Sequence, residues 1–105
     1  MDKINMSQTH VEIRETVNIN LSKPKKFKVI VLNDDSTPIS FVIELLIGIF
    51  GHSADSAGAV TMQVHTTGRG IAGVYFYELA EQKTYEAVAV SRNAGFSLRL
   101  TIEEE

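Results

Sequence analysis

Apolar and polar positions first fall into a clear order at Phe27, Lys28, Val29, Ile30, Val31, Leu32, a β-branched run that stops at Asn33, Asp34, Asp35. A run of that length ended by turn formers predicts a strand and its exit loop. Phe41, Val42, Leu45, Leu46, Ile49 and Phe50 then recur at helical spacing. They define a wide apolar stripe that needs a sheet to cover it. Ser36 or Thr37 is placed to cap this helix, Pro38 suits its first position and Gly51 its end, so it is expected over Pro38 to Phe50.

Ser53 is a good cap for a second helix reaching about His65, with Ala57, Val60 and Val64 at helical spacing and Gly58 opposing it by about 1 kcal/mol. Thr67, Gly68, Arg69, Gly70 turn the chain, and Ile71 to Phe76 reads as a second strand. A third helix is expected from Glu78 to Ala94, stopped by Gly95, and an alternating last strand from Phe96 to Ile102. The reading is an α+β domain of order β-α-α-β-α-β, with three helices on a small three-stranded antiparallel sheet.

Residues 1 to about 25 are polar, lack sustained periodicity and end at Ser22, Lys23, Pro24, as a flexible arm would. The alternation in Val11, Ile13 and Val17, Ile19, Leu21 would suit a short strand against a partner. The domain proper is expected from residue 26 to 105. Glu103, Glu104 and Glu105 read as a solvated tail.

A chain of 105 residues has room for one such domain. Its hydrophobic fraction of 44% is ordinary for a soluble protein, and no apolar run nears the roughly 20 residues of a membrane span. The start of the sequence has neither a signal peptide's apolar segment nor an Arg-rich transit pattern, so a cytoplasmic location is expected. The absence of cysteine excludes disulfides, thiolate nucleophiles and thiolate metal sites. A net charge of −3 without an extended basic stripe disfavours nucleic acid. Lys23, Lys25, Lys26 and Lys28 cluster locally, which reads as a solvated face.

Chemistry-bearing residues are sparse. His10, His52 and His65 are too far apart in sequence for an i, i+4 metal pair, and no glycine-framed nucleophile elbow or phosphate loop is present. No metal or cofactor is expected. The informative stretch is Asn33-Asp34-Asp35 with Thr37-Pro38, at the end of a buried strand and the start of a buried helix. A turn plus helix cap would explain it. Yet it gathers more acceptors than one cap needs, beside the apolar Ile39, Val42 and Val64. His65 can add a ring nitrogen. Such a set suits an ammonium group next to a hydrophobic side chain.

These residues resemble the ClpS adaptors of the Clp protease, which read N-degrons. The resemblance rests on Lys28-Val29-Ile30-Val31-Leu32-Asn33-Asp34-Asp35-Ser36-Thr37-Pro38, then Phe41-Val42, Gln63-Val64-His65 with Gly68-Arg69-Gly70, Gly73-Val74-Tyr75, Ala80-Glu81-Gln82-Lys83, Leu98 and Thr101. It runs collinearly from Phe27 to the end of the chain. It implies a non-enzymatic adaptor, and a monomer, that binds N-degron proteins and peptides and delivers them to an AAA+ unfoldase. The partner domain would be the amino-terminal domain of a ClpA- or ClpC-type unfoldase. It further implies that Asn33 and His65 bind the substrate's α-amino group, helped by Asp34, with Asp35 in the same acidic loop. A side-chain pocket would be lined by Thr37, Ile39, Val42, Thr61, Val64 and Leu98, with Ile30 beneath. Glu78, Glu81 and Lys83 would dock on the unfoldase, and their spacing is read as placing them on one exposed side.

Three positions depart from the family pattern. Ile39 and Thr61 stand where many members carry methionine, and Gln82 replaces the usual threonine beside the docking lysine. Isoleucine is stiff at χ1, and threonine is shorter and brings a hydroxyl that wants a partner. Selectivity among hydrophobic first residues is therefore expected to differ from the family's, Thr61 enlarging the cavity and Ile39 narrowing its mouth. The alternative reading is a divergent paralogue that docks on the unfoldase with a narrowed or lost pocket and acts as a regulator. Burying one large apolar side chain is worth about 1.5–3 kcal/mol, so micromolar affinity is expected.

Overall fold

A computed structural model describes residues 24–105. The arm expected over residues 1 to 25 and the short strand read into positions 11–21 therefore lie outside the described residues, save Pro24 and Lys25. The first strand, β1, spans Lys26–Leu32. Helices α1 and α2 follow at Ile39–Gly48 and Ala54–Thr67. The remainder is β2 at Arg69–Phe76, α3 at Tyr77–Asn93 and β3 at Arg99–Glu104. The order is the expected β-α-α-β-α-β, and the three strands form one antiparallel sheet ordered β2-β1-β3.

The apolar run of β1 makes it the central strand, because only a strand paired on both edges uses all its backbone groups in ladders. Val29 and Val31 point one way from the pleat and join Leu45, Leu46, Ala57, Ala80, Ala87 and Leu98 in the core. Ile30, on the other side of the pleat, is buried outside that cluster. Small residues on α2 and α3, Ala57, Ala80 and Ala87, are wholly buried and let both helices approach closely.

The β1–β2 register shifts between Val29, opposite Gly73, and Ile30, opposite Ile71, leaving Ala72 as the extra residue of a bulge. The Ala72 carbonyl meets His52 Nε2 at 2.7 Å, and His52 Nδ1 lies 2.8 Å from the Ser56 hydroxyl. A carbonyl only accepts, so Nε2 carries a proton, while Nδ1 is hydrogen-bonded to the Ser56 hydroxyl. His52 thus ties the α1–α2 loop to the sheet.

Three local expectations are corrected. Helix α1 takes Pro38 as its N-cap, with no side-chain cap bond, because the Thr37 hydroxyl is bonded to Asp34 instead. The last strand begins at Arg99 rather than Phe96. Gly95 takes a left-handed φ of 86°, and Arg92 Nη1 donates to the carbonyls of Phe96 and Leu98 at 3.2 and 2.7 Å. These carbonyls are satisfied without a ladder, and the segment is free to bend. Nor are all three final glutamates a solvated tail, since only Glu105 lies beyond the last strand. Glu103 and Glu104 belong to β3, and pair with Arg69 at 2.7 Å and Lys25 at 3.4 Å.

Smaller shifts have simple causes. Ser53 caps α2 as expected, accepting from the Ser56 N–H at 3.1 Å. The helix continues two residues past His65 because Gly68, with φ 95°, provides its left-handed stop.

Candidate functional site

Backbone topology brings two chain exits together. The Asn33 N–H donates to the Gly68 carbonyl at 2.9 Å, fastening the end of β1 to the cap of α2. Asn33 and the last turns of α2, with Val64 and His65, consequently share one end of the domain. The bent Ser97–Leu98 segment arrives at the same place. Among them lies a cavity of about 210 Å³ lined by Asn33, Asp34, Asp35, Thr37, Ile39, Val42, Thr61, Val64, His65 and Leu98.

Exposure divides this lining into a rim and a floor. Asp35 and His65 are exposed, and Asn33 and Asp34 half-buried. Val42, Val64 and Leu98 are buried, and Ile39 is 44% exposed at the edge. Thr37 and Thr61 are buried too. A polar, acceptor-rich rim thus stands over a mostly apolar floor. Ile30 does not line the cavity.

Asp34 organises the rim. Its Oδ2 accepts from Thr37 Oγ1 at 2.6 Å, Ser36 Oγ at 2.9 Å and Ser97 Oγ at 3.1 Å, while its carbonyl accepts from the Thr37 N–H at 3.1 Å. The Thr37 hydroxyl first, then Ser36, with smaller help from Ser97 and Arg99, hold the Asp34 carboxyl below the ordinary 3.8, against a weaker opposing effect of burial. The group stays ionised and the loop is held in one shape. Asn33 Nδ2 points to Asp35 Oδ1 at 3.3 Å, which leaves the Asn33 amide oxygen as its open acceptor.

Two partners here escaped the sequence reading. Ser97 lies in a stretch that alternates like a strand, 63 residues from Asp34. No local pattern announces such a contact. Arg92 fell in the last turn of a helix, where a basic residue ordinarily needs no further explanation.

The cavity offers acceptors and an apolar recess rather than a nucleophile. The Ser36 and Thr37 hydroxyls donate to a carboxylate, and among the described residues no hydroxyl at the cavity is bonded to a histidine as an activated nucleophile would be.

A second surface lies on α3. Glu78, Glu81, Gln82 and Tyr85 follow one another at i, i+3, i+4 and i+7 and line a shallow depression, with Tyr85 77% exposed. Lys83 is not on that side. Its Nζ donates to the Ile49 carbonyl at 2.8 Å and sits 5.6 Å from the Tyr75 ring centre. The expected common side for Glu78, Glu81 and Lys83 is thereby corrected, since position 83 is turned about 140° from position 78 at 3.6 residues per turn.

The fold and cavity define a small α+β domain with one acceptor-rimmed recess, and comparison with known proteins gives it a family. Residues 22–101 match the family model for "ATP-dependent Clp protease adaptor protein ClpS". The ClpS adapter of Wolinella succinogenes is 40% identical over 98 residues, covering 93% of this chain and 94% of that protein. The adapter of Acetivibrio thermocellus is 38% identical over 100 residues, 95% of this chain and all of that one. A solved structure of Agrobacterium tumefaciens ClpS2 bound to L-phenylalaninamide superposes with a TM-score of 0.76 at 40% identity, covering 79% of this chain and 100% of that one. The chain belongs to the ClpS family of Clp protease adaptors.

Proposed function

We propose that this adaptor captures proteins by their free amino-terminus and hydrophobic first residue and delivers them to the AAA+ unfoldase of the Clp protease. The observation that carries the reading is the gathering of Asn33, Asp34, Asp35 and His65 over the apolar recess. The open amide oxygen of Asn33 and a ring nitrogen of His65 accept from the substrate's ammonium group, and the ionised Asp34 supplies opposite charge nearby. The first side chain enters among Ile39, Val42, Val64 and Leu98.

Size supports the reading, because an apolar cavity of about 150 Å³ is enough for a benzene ring. The ligand of the Agrobacterium relative, L-phenylalaninamide, pairs a free amine with such a ring. Docking on the unfoldase's amino-terminal domain falls to the exposed Glu78, Glu81 and Tyr85 face of α3, with Lys83 holding that helix against α1. The adaptor works as a monomer in the cytoplasm and catalyses no bond change. No helix among the described residues is long and apolar enough to cross a membrane.

The experiment is reconstituted degradation. A fluorescent reporter beginning with Phe or Leu is incubated with a Clp unfoldase–peptidase, with and without this protein. Faster loss of fluorescence, suppressed by acetylating the reporter's amino-terminus, is expected. Unchanged loss with a folded adaptor that still binds the unfoldase would overturn the delivery function.

A further inference from the structure

Thr61 lines the recess and carries a hydroxyl without a hydrogen-bond partner among the described residues. Its Oγ1 is buried, and Thr61 itself is 3% exposed. Three other helical hydroxyls among the described residues satisfy themselves on the carbonyl four residues back: Thr66 on Met62 at 2.9 Å, Thr67 on Gln63 at 2.7 Å, and buried Ser91 on Ala87 at 2.8 Å. Thr61 does not. Thr84 also lacks a partner but lines neither cavity, so no ligand can answer it there.

Thr61 precedes His65 by four residues, which places both on one face of α2, about 6 Å apart along its axis. A substrate whose amine sits at His65 and Asn33 therefore extends its side chain past Val64 toward Thr61. Phe, Leu, Ile and Val bring no polar atom to that depth. Tyrosine brings a phenol oxygen that both donates and accepts, and so pairs with a hydroxyl in either sense. The indole N–H of Trp can only donate.

Resting on the amino-terminal receptor reading above, we infer that Thr61 is a specificity-determining residue. It hydrogen-bonds the phenol of an amino-terminal tyrosine and makes tyrosine the preferred first residue over the otherwise similar phenylalanine. One net hydrogen bond corresponds to an affinity ratio of about three- to tenfold.

The test is anisotropy titration of peptides differing only in the first residue, Tyr, Phe or p-methylphenylalanine, each free and acetylated, against the wild type, Thr61→Val and Thr61→Ser. Expected is tighter Tyr than Phe in the wild type by about three- to tenfold, no such gain for p-methylphenylalanine, loss of the Tyr preference in Thr61→Val and its retention in Thr61→Ser. Acetyl-sensitive binding with equal Tyr and Phe affinities, or a p-methyl gain matching that of Tyr, would overturn the role of the hydroxyl and leave the receptor standing. Absence of acetyl-sensitive binding by all three peptides would overturn both. The wild-type comparison decides even if the Val variant fails to fold.

Discussion

The Thr37 hydroxyl donates to Asp34 Oδ2 across 2.6 Å, and this bond, rather than a helix cap, is what the residue before Pro38 is used for. It closes the Asp34–Thr37 turn, and Ser97 ties the same carboxylate to the segment that carries Leu98. The rim and part of the floor are thus held by one carboxylate.

That arrangement makes the site acid-sensitive in a defined direction. The folded Asp34 carboxyl titrates below 3.8, so the unfolded chain binds its proton more readily. Its contribution to stability is present above the unfolded value and is lost as pH falls from about 4 through the lower folded value. NMR titration of the carboxyl should place the wild-type midpoint below 3.8 and move it upward in Thr37→Val. Asp34→Asn should flatten the dependence of urea stability on pH below 4.

Gly70 lies against the helix that walls the cavity. A Cβ there would meet Val64 Cγ2 at 2.8 Å, Val60 Cγ1 at 3.3 Å and the Val60 carbonyl at 3.3 Å. Removing a strand glycine ordinarily gains about 0.5–1 kcal/mol, whereas overpacking costs about 1–3, so the clash should win. Gly70→Ala is expected to lower the urea midpoint and, by pushing Val64 into the recess, to weaken peptide binding.

Lys83 and the Glu81–Tyr85 face should behave oppositely. Lys83→Met leaves the Ile49 carbonyl without its donor at the end of α1 and removes the cation near Tyr75, a loss of roughly 1–2 kcal/mol. Glu81→Lys and Tyr85→Ala should leave stability within about 0.5 kcal/mol, since both side chains are exposed. Titration against the unfoldase's amino-terminal domain should show weakened docking by both surface variants at unchanged stability.

Peptide affinity should also depend on the substrate amine. An α-amino group has an ordinary pKa of about 7.7–8.0, and acceptors at the rim favour its charged form, raising the value in the complex. Binding is therefore stronger at about pH 7.5 than at about pH 9.5, declining as pH rises through 8 and above. Titrations from pH 6.5 to 9.5 check this.

Much of the fold was legible because its signals were local. The β-branched run of β1, the apolar stripe of α1 and the Ser53 cap each depend on neighbours within one or two turns. Contacts across long sequence separations set what was misread. Phe96 to Leu98 alternate like a strand, but Arg92 satisfies two of their carbonyls and Asp34 takes Ser97. Lys83 looks like one more charge on an exposed helix, and only the end of α1 beneath it shows otherwise. At the cavity, the acceptor excess of Asn33-Asp34-Asp35 was visible as composition, whereas the Ser97 donor and the unanswered Thr61 hydroxyl needed three-dimensional neighbours.

The central claim is that the rim binds a free α-amino group. The most direct measurement is a fluorescence-anisotropy titration at pH 7 of one peptide beginning with Phe, free and acetylated, against the folded protein. Saturable micromolar binding that acetylation weakens by roughly ten- to a hundredfold is expected, because a charged donor is removed from the rim acceptors. Equal binding of both forms, or binding of neither, would contradict it.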